Sequence, residues 1–334
     1  MLILAIGVTA VGWYAWQDMQ VPLDIPEEGM VYEVAPGASI RHLAKDLQQH
    51  QLLSNPWYFE IWARWIEPGQ AVRSGEYFLE HGLTIAGLLE KFRRGVPVQH
   101  KLTIVEGSRF SDVVALIQKA VDAGLMKQVI PAGKYAEAFR EISGQASPEG
   151  WIFPDTYHFS KGQTDKSFLR QAYLRMKQAL DKAWAQRNPD LPLKSPYDAL
   201  ILASIVEKET GAAEERPKIG GVFINRLKKG MKLQTDPTVI YGMGENYKGN
   251  IRKKDLQTDT PFNTYTRKGL PPTPIALPGA DAILAAVQPE STDALFFVAK
   301  GKGRHYFSAT YKEHKKAVIK YLLKGNASRY HGGS

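Results

Sequence analysis

The apolar positions divide the chain into one unbroken hydrophobic run and a longer stretch in which helical and strand periods alternate. Met1 to Trp16 carry no charged side chain. As a helix at about 1.5 Å per residue they would span about 24 Å, slightly less than a hydrocarbon core. Trp13, Tyr14 and Trp16 would then sit at one interface, where amphipathic aromatic rings concentrate. A cleaved signal peptide needs a basic leading segment and a small-x-small cleavage site, whereas Gln17-Asp18-Met19-Gln20 follows this run. The pattern predicts an uncleaved transmembrane anchor over 1–17. With no Lys or Arg before the run to set topology, a start a few residues upstream is expected.

Residues 18–29, with Pro22, Pro26, Glu27, Glu28 and Gly29, have no apolar period and read as a linker. Met30 to Val34 then reads as a strand, Pro36-Gly37 as a turn, and Ser39 as an N-cap before Ile40, Leu43, Ala44 and Leu47 at helical spacing. Trp57, Ile61, Trp62 and Trp65 mark a second helix from Pro56. Gly75 to Leu79 is a strand, and Ile85, Leu88, Leu89 and Phe92 mark a third helix. This β-α-α-β order within 30–98 resembles a LysM glycan-binding module; a small docking domain with a Trp-rich core has the same pattern. Residues 99–148 read as a connecting α/β segment, with a strand over Lys101 to Val105, a loop at Glu106-Gly107-Ser108 and a helix from Ser111. Gly150 to His158 breaks the helical period, so a last domain is placed at 149–326, followed by a tail at 327–334. Within it the spacing predicts helices over 166–186, from Ser195 and over 217–229. A Pro/Gly/Thr-rich middle follows, then helix, strand, a hairpin turn at Gly301 to Gly303, strand and helix. The expected fold class is α+β behind an N-terminal membrane helix.

Composition narrows the chemistry. With 334 residues, 44% hydrophobic and 23% charged, the chain can build a core and is not a disordered tail. The absence of cysteine excludes thiol nucleophiles, disulfides and Cys-ligated zinc or iron-sulfur clusters. A net charge of +9 favours an anionic partner: nucleic acid, a lipid surface or a carboxylate-bearing glycan. The basic residues are dispersed and an anchor would hold the chain at a membrane, so no nucleic acid partner is expected. No His-Glu-x-x-His motif or comparable cluster accompanies His305 and His314, and neither a metal site nor a cofactor is expected.

One acid lies where the helical pattern demands an apolar residue. Ser195-Pro196-Tyr197-Asp198 starts a helix, with a hydroxyl N-cap, Pro at the first position and an acid in the first turn; Gly211 is the expected terminator. At about 100° per residue, Leu202, Ile205 and Val206 form one stripe and Glu209 falls within it. Glu207 points away, toward Leu200 and Ala203, so the two acids should meet different environments. A desolvated carboxyl gains a raised pKa, as a general acid near neutral pH requires; the alternative is that Glu209 reaches solvent or pairs with Arg216 or Arg226. Glycosidases usually place two carboxylates across the scissile bond. Asp236, in Gln234-Thr235-Asp236-Pro237-Thr238, is a candidate second acid, although Asp-Pro-Thr is also turn or capping chemistry. A lone acid suffices only if the substrate supplies its own nucleophile.

A family resemblance rests on these and further segments: Ala203-Ser204-Ile205-Val206-Glu207-Lys208-Glu209-Thr210, Val222-Phe223-Ile224-Asn225-Arg226-Leu227, Leu233 to Gly242, Asn263-Thr264-Tyr265, Gly269-Leu270-Pro271-Pro272 and Pro278-Gly279-Ala280. The chain closely resembles the endolytic murein transglycosylase family (MltG, YceG-like) along its whole length. The resemblance implies a C-terminal α+β lytic transglycosylase domain. It would cleave the bond between N-acetylmuramic acid and N-acetylglucosamine within peptidoglycan glycan strands and leave 1,6-anhydromuramyl ends. It also implies that Glu209, the second acid of Glu-x-Glu-Thr, is the catalytic residue, and that the muramyl C6 hydroxyl is the nucleophile. Peptidoglycan polymerases are the implied partners, at the bacterial cytoplasmic (inner) membrane, with the catalytic domain on the extracytoplasmic side. Gln234, Thr238, Asn263, Tyr265 and Asp236 are candidate substrate-binding residues, uncharged apart from Asp236; ordinary turn chemistry is the alternative. Glu106 and Asp155 lie in family segments but are normal turn residues and stay outside the catalytic set. Lys300, Lys302 and Arg304 would meet stem-peptide carboxylates or lipid headgroups, or form a solvated loop. The rival readings are a hydrolytic muramidase and a non-catalytic wall-binding protein.

Overall fold

The computed structural model describes residues 13, 16, 17, 19–35, 37–65 and 72–330. The expected anchor lies almost wholly outside them, as do Pro36 and the end of the expected tail. Among the described residues no helix is long and apolar enough to cross a membrane. The chain divides into two compact units, one of Met1–Leu102, Ala120–Lys127 and His158–Thr164, the other of Thr103–Lys119, Gln128–Tyr157 and Asp165–Ser334.

The first unit follows the alternation of its sequence. Strand β1 (Met30–Val34) leads to helices α1 (Ile40–Gln49) and α2 (Pro56–Trp65), strand β2 (Gly75–Leu79), helix α3 (Ile85–Arg94) and strand β3 (Gln99–Thr103). β1 and β2 pair antiparallel, with Met30 opposite Leu79, Tyr32 opposite Tyr77 and Val34 opposite Gly75. Tyr32, Val34, Tyr77 and Leu79 are buried while Val31 and Phe78 are exposed, the period-two segregation of a strand with one covered face. Ser39 caps α1 by accepting the His42 N–H at 3.2 Å, and Leu43, Ala44 and Leu47 face the core. Phe92 of α3 stacks on Tyr32 and meets Tyr77 edge-on.

Two expectations for this unit change. The core is made of Leu, Phe and Tyr rather than Trp, and Trp57 is 58% exposed. Residues 18–29 are not a free linker, because Met19, Leu23 and Ile25 are buried in the same core. Leu23 N–H donates to the Leu83 carbonyl at 2.8 Å, and the His81 ring lies 2.7 Å from the Ile25 carbonyl oxygen. Three apolar residues among prolines were enough to dock an aperiodic segment.

Helix α4 (Phe110–Asp122), strand β4 (Met126–Lys127), helix α5 (Tyr135–Ser143) and strands β5 (Thr156–Ser160) and β6 (Gln163–Thr164) come next in the chain. β4 and β6 pair parallel within the first unit. The strand expected at Lys101 to Val105 begins two residues earlier than its apolar pattern suggested.

The second unit is helical around one buried element. Helices α6 (Asp165–Ala185), α7 (Pro196–Glu209), α8 (Arg216–Lys228), α9 (Asp236–Met243), α10 (Lys253–Gln257) and α11 (Ala280–Val287) precede the hairpin of β7 (Phe296–Gly301) and β8 (Arg304–Ser308) and helix α12 (Tyr311–Tyr321). Ser195 caps α7 as expected, accepting the Asp198 N–H at 3.2 Å. Every residue from Ala199 to Val206 is buried, so α7 is a central helix covered on all sides and not the one-sided helix its stripe implied. It packs against α6, α8 and α11. Gly211 does not terminate it; Thr210 turns extended (φ −145°, ψ 136°), and its hydroxyl accepts the Ala212 N–H at 3.0 Å. The Pro/Gly/Thr-rich middle holds two short helices, α9 and α10. The hairpin turn falls at Gly301 to Gly303, where Gly301, Lys302 and Gly303 all take positive φ.

Candidate active site

Glu209 ends α7 at the wall of a cleft of about 790 Å³, shared with Arg226 of α8, Gln234 and Asp236 at the start of α9, Tyr265, and Phe296, His305 and His314 further along. A carboxylate at a helix C-terminus faces the negative end of the backbone dipole, which favours its protonated form. Its hydrogen-bond partner is the Thr235 hydroxyl, which donates to Oε1. Loss of water contact is the main influence on its titration: burial, aided by the negative charge of Asp236, pushes the Glu209 pKa up to about 7, against the Thr235 hydrogen bond and the positive charge of Arg226. The alternative of an ion-paired Glu209 is not what the structure shows. Arg216 pairs with Glu207 at 2.8 Å, and Arg226 directs Nε to the Leu295 carbonyl at 2.6 Å and Nη1 to that of Leu233 at 2.8 Å.

Thr235 is held as firmly as the acid it serves. It is 2% exposed, its N–H donates to Thr264 Oγ1 at 3.0 Å, and its carbonyl accepts from Thr238 Oγ1 at 2.8 Å. Gln234 beside it has φ +50°, a left-handed conformation that few non-glycine residues adopt, and its N–H donates to the Thr264 carbonyl at 3.1 Å. Its exposed side chain lines the cleft.

The other expected site residues fall into two groups. Gln234, Asp236 and Tyr265 line the cleft, where the Tyr265 O–H donates to Asp236 Oδ1 at 2.5 Å. Burial and this carboxylate push the Tyr265 phenol up. Thr238 and Asn263 do not reach the cleft. Thr238 is fully buried, bonded to Thr235 and Thr264. Asn263 is 1% exposed, donates to the carbonyls of Leu256 and Thr258, and accepts the Tyr265 N–H at 2.8 Å. Both brace the segments that carry Thr235 and Tyr265, and neither lines this cleft.

Thr235 itself was passed over in the sequence. Its signal was a hydroxyl residue directly before Asp236-Pro237 at a helix start, yet its side chain does not cap α9 and turns to Glu209 instead. Asp155 pairs with Arg175 at 2.6 Å. Arg304 pairs on the surface with Glu214 at 2.8 Å, which leaves the expected basic cluster at the hairpin one charge poorer.

A carboxyl whose pKa burial raises, braced by a hydroxyl at the wall of a cleft, has the chemistry of a general acid. The chain belongs to the YceG-like family, which it matches over residues 32–320. It is 30% identical over 309 residues to a Bacillus subtilis protein named endolytic murein transglycosylase, an alignment covering 88% of this chain and 85% of the relative. A Streptococcus pneumoniae (strain D39) protein of the same name is 25% identical over 353 residues, covering 94% of this chain, which spans 63% of that longer relative. Among solved structures, a YceG-like protein of Listeria monocytogenes aligns with 28% identity and a TM-score of 0.53, covering 87% of this chain and 100% of that one.

Proposed function

We propose that this protein is an endolytic peptidoglycan lytic transglycosylase that uses Glu209 as its single acid and base. The observation that carries the reading is a Glu209 at the wall of the cleft whose pKa burial raises to about 7, with Glu207 turned away onto Arg216 and Asp236 taking a hydrogen bond from Tyr265. Its relatives' name and family point to the same substrate.

The chemistry is the one the family resemblance implies, placed on this chain's residues. Glu209 gives its proton to the glycosidic oxygen between N-acetylmuramic acid and N-acetylglucosamine, and the C1–O bond breaks as positive charge gathers on the muramyl ring. The resulting carboxylate is stabilised by the Thr235 hydroxyl and the Arg226 charge. It then takes the proton from the muramyl C6 hydroxyl as that oxygen closes on C1. One C–O bond is lost, one is formed, no water is consumed, and Glu209 regains its proton. Gln234 and Tyr265 contact the sugars, and the cleft, large for a single sugar, suits attack within a strand. The first unit, with its β-α-α-β order and a groove of about 400 Å³ lined by residues of β1 and α1, serves as a LysM-like glycan holder. Residues 1–17 tether the chain to the bacterial inner membrane beside the glycan polymerases, so that cleavage acts on nascent strands and ends their growth.

The test is digestion of purified uncrosslinked strands with the wild type and with Glu209→Gln, the new ends being identified by mass spectrometry. Anhydromuramyl ends should come from the wild type, with the variant slower by roughly a hundredfold to ten-thousandfold, the usual contribution of a general acid-base. Reducing ends would establish a hydrolase, and equal activity in the variant a different acid.

A further inference from the structure

Glu207 has no obvious reason to exist. An acid in the last turn of a helix opposes the backbone dipole, and a carboxylate removed from water costs stability unless it is paired and hydrogen-bonded. Glu207 is both, with its side chain only 4% exposed, and burial pushes its pKa up against the bonds that hold its charge. Its Oε1 accepts Arg216 Nη2 at 2.8 Å, and its Oε2 accepts the Gly279 N–H at 2.9 Å. Arg216, 9% exposed at its side chain, also reaches Glu106 at 3.1 Å and Asp281 at 3.6 Å.

This cluster ties together four segments. Glu106 belongs to a loop whose Gly107 N–H donates to the Leu277 carbonyl and whose Ser108 carbonyl accepts the Leu277 N–H, both at 2.8 Å. Lys208, between Glu207 and Glu209, donates from Nζ to the Gly107 carbonyl at 3.1 Å. Gly279, just before α11, lies hard against Glu106: a Cβ there would be 1.8 Å from Oε1, so the Glu106 carboxyl would have to leave its place in the cluster. The final turn of α7 is therefore gripped through Glu207 and Lys208, and Glu209, roughly 200° farther round the helix from Glu207, is the residue presented to Thr235 and the cleft.

We propose that Glu207, Arg216 and Glu106 are positioning residues: an ion cluster, away from the substrate, that fixes the last turn of α7 and so holds the Glu209 carboxyl in its desolvated place against Thr235. The cluster acts through Glu209, so the inference rests on the reading of Glu209 as the acid. Loosening that turn admits water to the Glu209 carboxyl. Its pKa then falls toward that of an ordinary glutamic acid, and the acid is deprotonated at a lower pH.

The test compares full-length wild type, Glu207→Gln, Glu106→Gln and Arg216→Lys on glycan strands across pH. Glu106 is 45% exposed at its side chain, so its variant folds even if the deeper ones do not; thermal melts check each. For every folded variant, kcat should fall about tenfold or more with KM changed less than about twofold, and the alkaline limb of kcat/KM should move about one pH unit lower. A merely structural cluster would lower melting temperature while leaving kcat and the limb of the folded fraction in place, and that result would overturn the proposal. If Glu209→Gln stays active, the reading of the acid has failed; if it is inactive while Glu207→Gln and Glu106→Gln keep wild-type kcat and pH limb, the positioning role alone has failed.

Discussion

At the scale of single residues, Glu209 is poised between opposing influences, and each neighbour can be removed separately. Burial and Asp236 favour the protonated acid, whereas Thr235 and Arg226 favour the carboxylate. The alkaline limb of kcat/KM should lie near pH 7 in the wild type, move down in Asp236→Asn and move up in Thr235→Val, alongside any loss in kcat; a pH-rate profile of anhydro-end formation checks all three. The same raised pKa has a stability consequence. Free glutamic acid titrates near about 4.3, so the folded state holds its proton to a higher pH than the unfolded chain does. The contribution of Glu209 to stability is thus fully present below about pH 4 and is lost as pH rises to about 7, with an upper bound of about 4 kcal/mol. Glu209→Gln, a neutral isostere, should melt higher than the wild type near pH 8 and no higher near pH 4. Gln234 carries a different kind of strain. Gln234→Gly relieves its positive φ and should leave stability unchanged or raise it by up to about 1 kcal/mol, while kcat/KM falls because the side chain facing the cleft is gone. Denaturant melts and kinetics on the same sample separate the two effects.

At the scale of elements, α7 works because α8 and α11 come close to each other beside it. Gly220 and Gly221 of α8 make that approach feasible: a Cβ at Gly220 would lie 2.4 Å from the Ala285 carbonyl of α11, and one at Gly221 would lie 2.5 Å from that of Glu290. Alanine gains about 1 kcal/mol of helix propensity over glycine, but parting two backbones in a packed interior costs more. Gly220→Ala should therefore lower stability by about 2 kcal/mol, and the melting temperature by several degrees. The elements also show what the sequence could disclose. β1 and β2 were legible to the residue because their alternation faces one covered side, and α7 announced its start through Ser195-Pro196. Its stripe selected Glu209, although burial on every side made the stripe less telling than it looked. α9 and α10 were hidden because eight residues broken by Pro237 and Gly242, and five with a single apolar side chain, carry too little period to stand out. Thr235 and Glu106 were hidden for another reason: each takes its meaning from a partner 26 or 110 positions away, and local pattern is silent about such pairs.

At the scale of the whole molecule, the two units and the leading apolar run divide the proposed task among cutting, holding and tethering. The second unit carries Glu209 at its cleft, and in the proposed mechanism the bond exchange consumes no water, which is what separates a lytic transglycosylase from a muramidase acting on the same glycan. The docking of Met19, Leu23 and Ile25 into the first unit's core means that these residues fold as part of that unit. The most direct measurement is digestion of glycan strands by the full-length wild type in water enriched in oxygen-18, with mass analysis of the new muramyl ends. The mechanism predicts ends one water lighter than a hydrolysed end and free of the label; reducing ends carrying one oxygen-18 would contradict it.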